Sequence, residues 1–275
     1  MADCMYCGKR ADSKEHIIAT RFVDLLSKDP RGFRVPTRLY VTQKDGSRKT
    51  IGGKRDKTGK PTLEYTTRVC QKCNNEWMND ADSAVWGPVS AMIQGQTVTL
   101  DAISQRALAF WVMKVAVTAR TAAGSNLPIE KEWTDWLYQR RTPMLNWRVW
   151  IGHYVGGEPF WYKPDDIRAE VDPLSPPLPS GSKMLRENGV LATLAIGYLF
   201  IQVIGFGGDA TVQGVEETAV RSIWPVSPNS VAWPPPERID DAGLSLWADR
   251  FYKMRPVAAI PVAGPNRASR RARKR

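Results

Sequence analysis

Two Cys-x-x-Cys pairs, Cys4 with Cys7 and Cys70 with Cys73, constrain this chain more than any other feature. They hold the only four cysteines among 275 residues, so one pattern accounts for every thiol. Four thiolates in two short-spaced pairs suit a closed tetrahedral zinc site, which takes four soft ligands and no water. If one ion takes all four, the chain must bring residues about 60 apart in sequence side by side, closing a long loop at its own entropic cost. Whatever lies between the pairs is an insertion into a metal-pinned frame.

Glu15-His16-Ile17-Ile18 lies inside that frame, and Asn74-Asn75 follows the last cysteine directly. A carboxylate and an amide carbonyl are hard oxygen ligands of the kind Mg²⁺ prefers. The imidazole between them is a side chain suited to take a proton from water. Structural zinc beside a base and two oxygen donors is the layout of a metal-dependent phosphodiesterase. The three stretches together resemble the zinc-containing HNH endonucleases of the ββα-metal (His-Me finger) superfamily. Members commonly read C-x-x-C, then [DE]-H-[IV]-[IV]-P, then C-x-x-C-N. The resemblance covers roughly residues 1–80. Ala19 stands where a proline often follows, and a third, helix-borne histidine is absent.

The resemblance implies three catalytic residues: His16 as general base, with Glu15 and Asn74 holding a catalytic Mg²⁺ or Mn²⁺. Cys4, Cys7, Cys70 and Cys73 would hold structural Zn²⁺. Asn75 reads as a helix cap, and Asn79 and Asp80 as solvated helix positions. The second histidine, His153, lies in an aromatic run and reads as packing or surface. The alternative to a DNA endonuclease is a zinc-ribbon nucleic-acid-binding or adaptor protein whose HNH site is incomplete, which the missing third histidine favours.

Charge points to the same partner. Residues 1–80 carry 17 Lys and Arg against 10 Asp and Glu, whereas residues 81–265 carry 16 against 18. The last ten residues add six basic side chains and no acidic one. Positive charge is thus concentrated on the cysteine-framed segment and the tail, where a polyanion would bind. Expected phosphate contacts are Lys44, Arg48, Lys49, Lys54, Arg55, Lys57 and Lys60, on a basic ribbon between β-type runs at 38–43 and 63–69. DNA is the expected partner, and RNA fits the same electrostatics. The opening MADCMYCGKR lacks the apolar stretch of a secretory signal, and thiols in metal-type spacing favour a reducing compartment, so a cytoplasmic location is expected.

The fold expected is α+β. A small N-terminal ββα-metal zinc module with its ribbon insertion spans 1–85. A larger mixed α/β domain of unassigned role spans 86–262, and a basic disordered tail spans 263–275. With few large apolar residues, the first module is marginal without its metal. Beyond it, 101–123 has a helical period and is apolar all round except for Arg106, Lys114 and Arg120, which predicts a core helix. Residues 130–141 read as an amphipathic helix. Strands are expected at 149–155, 160–162 and 222–224. The run 191–205 (LATLAIGYLFIQVIG) is too short for a bilayer span and reads as buried strands around a glycine bend. Nine of the eleven tryptophans follow residue 100 and are expected in the core. The proline-rich stretches 173–179 and 225–236 read as connections.

Overall fold

Residue 70 returns to residue 7 because two short strands pair. The computed structural model describes residues 2–28, 38–42, 48–52, 65–122, 129–157, 160–169, 187–207 and 218–249. After the first cysteine pair comes β1 (Ser13–His16), then α1 (Thr20–Asp24) running into a 3₁₀ turn. Strands β2 (Arg38–Thr42) and β3 (Arg48–Gly52) form a ribbon of their own, and β4 (Tyr65–Val69) pairs antiparallel with β1. The ribbon therefore differs from the expected one. Its second strand is 48–52, within the basic run, while the 65–69 stretch turns back to β1 and delivers Cys70 to the first cysteine pair. Pairing with β1 is what places the two cysteine pairs together, so the cysteine frame and this register need each other.

Past Cys70 the chain is helical: α2 (Gln71–Cys73), a π turn (Asn74–Met78) and α3 (Asn79–Ala84), followed by α4 (Trp86–Ile93). The strand pair and this helical run make a ββα unit. Cys70, not Asn75, caps it, because its sulfur accepts the N–H of Cys73 and the helix starts one turn earlier than expected.

The larger part is an antiparallel sheet covered on both faces. Strands β5 (Val98–Leu100) and helices α5 (Ala102–Ala122) and α6 (Lys131–Arg140) precede β6 (Arg148–Tyr154), β7 (Phe160–Ala169), β8 (Glu187–Ile196), β9 (Leu199–Phe206) and β10 (Val220–Trp224). These last five order as β10-β6-β9-β8-β7, and β12 (Arg238–Ile239) adds a parallel partner to β6. A separate pair joins β5 to β11 (Val231–Trp233), and α7 (Asp241–Asp249) closes the described chain. Side chains alternate across the sheet. Val190, Ala192 and Leu194 with Ile201 and Val203 face the core shared with α5. Leu191, Ala195, Phe200 and Ile204 face a second core under Leu244 and Trp247 of α7. That double burial explains the unbroken apolar run, and the bend in it is Gly197 at φ +57°, left-handed as a tight hairpin turn requires.

Helix α5 joins the two parts. Val112, Val115 and Ala116 lie along one stripe against Ala192, Leu194 and Ile201 of the sheet. Trp111, Lys114 and Thr118, spaced three and four apart on the neighbouring stripe, meet the cysteine-framed segment. One hydrophobic core runs from Cys4, Tyr6 and Ile17 through Trp111 to Val149 and Val203. Tryptophans 111, 133, 147, 150 and 233 are fully buried, as expected. Among the described residues no helix is long and apolar enough to cross a membrane. The basic positions Lys44, Lys54, Arg55, Lys57 and Lys60, the prolines of 173–179 and the tail lie outside the described residues.

Candidate metal centre and active site

The first cysteine pair is a tight turn. Gly8, at φ +71°, donates its N–H to the Cys4 carbonyl, and Cys4 donates to the Lys9 carbonyl. The turn rests on β4 through the Met5 N–H, which reaches the Arg68 carbonyl at 2.8 Å. On the other side, Asp12 accepts the N–H of Gln71 at 2.8 Å, fixing the start of the helix that carries Cys73.

These contacts bring all four Sγ atoms within 4.8 Å of one another, with Cys7 and Cys70 at 3.5 Å. Four sulfurs on a tetrahedron with Zn–S bonds near 2.3 Å are about 3.8 Å apart. The cysteines are free thiols placed closely enough to hold one metal ion such as zinc. A second feature fits a metal-bound thiolate. The indole N–H of Trp77, four residues beyond Cys73 and 2% exposed, has no well-formed hydrogen bond. Burial pushes the Cys73 thiol up, and that indole opposes the rise by favouring the thiolate. A donor left over beside a sulfur is satisfied when the sulfur carries negative charge.

The three residues assigned to catalysis occupy two surroundings. Glu15 is 6% exposed and points inward, its Oε1 at 3.5 Å from Nζ of Lys114. That ammonium is fully buried and lies closer, at 2.8 Å, to Oδ1 of Asp82, which also accepts the Trp111 indole N–H at 2.7 Å. Burial raises the Glu15 carboxyl to about 7, Lys114 offsetting only part of the effect and the Asp82 charge adding to it. His16, the next residue along β1, is half-buried and belongs to the opposite face by strand alternation. Lys14 and Arg68, both exposed, flank the same strand pair. Asn74 sends its amide nitrogen to Ser13 Oγ at 2.6 Å and to the Lys14 carbonyl at 3.3 Å. It thus straps the second half of the motif to the first and keeps its carbonyl oxygen for another partner. Asn75, Asn79 and Asp80 are exposed. His153 packs against Trp233 and Tyr198, as expected.

Compared with protein-family models, curated proteins and solved structures, the chain finds no match. The site therefore rests on its own geometry. Sequence reasoning missed Asp82, Lys114, Trp77 and the hydrogen bond of 2.9 Å between Tyr6 and Thr118. Lys114 carried a signal, because a lysine inside an otherwise apolar helix must find a carboxylate when it is buried. Nothing in the local sequence named Asp82 as that carboxylate.

Proposed function

We propose that this protein is a metal-dependent endonuclease of the HNH kind, hydrolysing phosphodiester bonds in DNA. What carries the reading is the Asn74 strap: the amide after the last cysteine is bonded to Ser13 and Lys14, beside Glu15-His16. The two halves of the motif adjoin, as a shared active site needs. Zinc in the four-cysteine site is structural and fixes that junction. His16 takes a proton from the attacking water, and Lys14 and Arg68 draw the phosphate backbone to its face. A Mg²⁺ or Mn²⁺ ion would supply Lewis-acid stabilisation when bound, with Asn74 as a protein oxygen and Glu15 as a second only where it turns outward from Lys114. Plasmid nicking with and without added Mg²⁺ or Mn²⁺, on wild type and His16→Ala, tests this. Cleavage that needs the cation and His16 supports it.

One observation favours a second reading. Glu15 points to Lys114, so a cation bound there would share its carboxylate with a buried ammonium. A zinc-ribbon protein that binds nucleic acid, or serves as an adaptor without cutting, has no need of that cation. A zinc-loaded wild type that binds DNA but never nicks it with any divalent ion would select this reading.

A further inference from the structure

Lys114 is the one fully buried lysine at the heart of this molecule's described core, and the proposed chemistry does not use it. Its Nζ joins three elements: Asp82 on α3 at 2.8 Å, Glu15 on β1 at 3.5 Å, and its own helix α5. Asp82 is held in turn by the Trp111 indole. Stability alone does not require such a network, since well-packed apolar groups commonly replace a buried ion pair at no loss. Its value lies in what it specifies.

The element that needs specifying is β1. It has four residues, and its pairing with β4 is irregular: Ser13 faces Val69 but Glu15 faces Thr66, so two steps on one strand span three on the other. A slip of one residue in a strand exchanges its faces, and a bulged four-residue ladder resists slipping weakly. Slipped by one, β1 would bury His16 and expose Glu15. An ammonium fixed inside by Asp82 distinguishes the two registers, because it pairs with a carboxylate and finds no negative charge on an imidazole. We infer that Lys114 is a positioning residue for the proposed active site: anchored on Asp82, it holds Glu15 inward and so sets His16 on the outer face of β1. The inference rests on the reading of His16 as the reactive side chain.

The test uses the full-length, zinc-loaded protein with Lys114→Met, and with the double change Asp82→Asn, Lys114→Met. The double variant removes the ammonium together with its nearer carboxylate, keeps Glu15, which can take a proton, and serves where Lys114→Met alone fails to fold. With only two histidines in the chain, the ring signals of His16 are resolved by NMR and identified by their loss in His16→Gln. In both variants zinc is retained, the His16 ring signal shifts or splits into more than one environment, and kcat for nicking falls at least tenfold with KM little changed. Lys114→Arg, which keeps the charge, restores a single His16 environment. A double variant with wild-type His16 signals and wild-type nicking, altered only in its urea midpoint, would overturn the inference. If wild type nicks nothing, the endonuclease reading fails on its own, and the His16 signals still decide whether Lys114 positions the strand.

Discussion

The two carboxylates on Lys114 are unequal, and neutralising them one at a time has opposite consequences. Asp82 accepts from Lys114 at 2.8 Å and from the Trp111 indole at 2.7 Å. Asp82→Asn leaves a buried ammonium with only Glu15, at 3.5 Å. Because that second partner remains, the loss should fall at the low end of a broken buried pair, about 3 kcal/mol. Glu15 behaves differently because its carboxyl is raised from 4.5 to about 7. A raised carboxyl means that the folded chain binds more protons than the unfolded one between those values. Stability from this group is therefore greatest at low pH and falls as pH rises through that window. Above it, the ionised Glu15 costs the folded state about 3 kcal/mol, at about 1.4 kcal/mol per pH unit. Glu15→Gln removes that dependence. Measured by urea denaturation with tryptophan fluorescence, its stability relative to wild type should improve by about 2 kcal/mol between about pH 5.5 and about pH 8. Both chains carry the same thiols, so the pH dependence of the metal site cancels in the difference. A relative stability flat with pH, or an Asp82→Asn loss no larger than that of Glu15→Gln, would refute the reasoning.

Metal analysis of the purified chain should give one zinc per molecule, and Cys73→Ser should abolish it together with the protection of the remaining thiols from a thiol reagent. Replacing Lys14 and Arg68 together by alanine should flatten the log–log salt dependence of DNA binding by about 2, near 0.9 for each phosphate contact, in a fluorescence anisotropy titration; an unchanged slope removes that face from the interface. Gly197→Ala should lower stability by about 2–4 kcal/mol, since a left-handed alanine is strained and overpacking adds to the cost. Its methyl would fall 2.2 Å from the Ile93 carbonyl oxygen, so an unchanged urea midpoint would contradict the packed hairpin.

The elements legible in the sequence are those whose cause is local. The helix read at 101–123 is α5 at Ala102–Ala122, because twenty-odd residues of one period leave no alternative. The run 191–205 reads as two buried strands about a glycine, and β8 and β9 turn at Gly197. The cysteine pairs announce a four-thiol cluster able to hold a metal because thiols at that spacing have few other uses, and the four sulfurs do come together. Strand partners are another matter. Nothing near 63–69 says that it pairs with Ser13–His16 and not with 38–43, because that choice is made by cysteines at the far ends of both strands. The short pieces α4, β5, β11 and α7 carry too few residues to set a period against their surroundings. Asp82 is harder still, one of 28 acidic residues, distinguished only by what α5 brings beside it.

Strand β1 is held from two directions by forces of different kinds. At its ends the cysteine pairs, Asp12 and the Asn74 strap fix where it lies. Beneath it, Lys114 acts on which way it faces. A metal alone would locate the strand without choosing its face, since the ligands sit outside it and a bulged pairing tolerates a slip. The ammonium alone would choose a face without closing the loop. Tyr6, bonded to Thr118 on the same stripe of α5, carries the first cysteine pair onto that helix as well. The segment that bears Glu15-His16 thus takes part of its shape from a helix that begins at Ala102, well past its own last cysteine. Loss of zinc and loss of Lys114 should consequently damage His16 by separable routes, the first by releasing the strand and the second by turning it over.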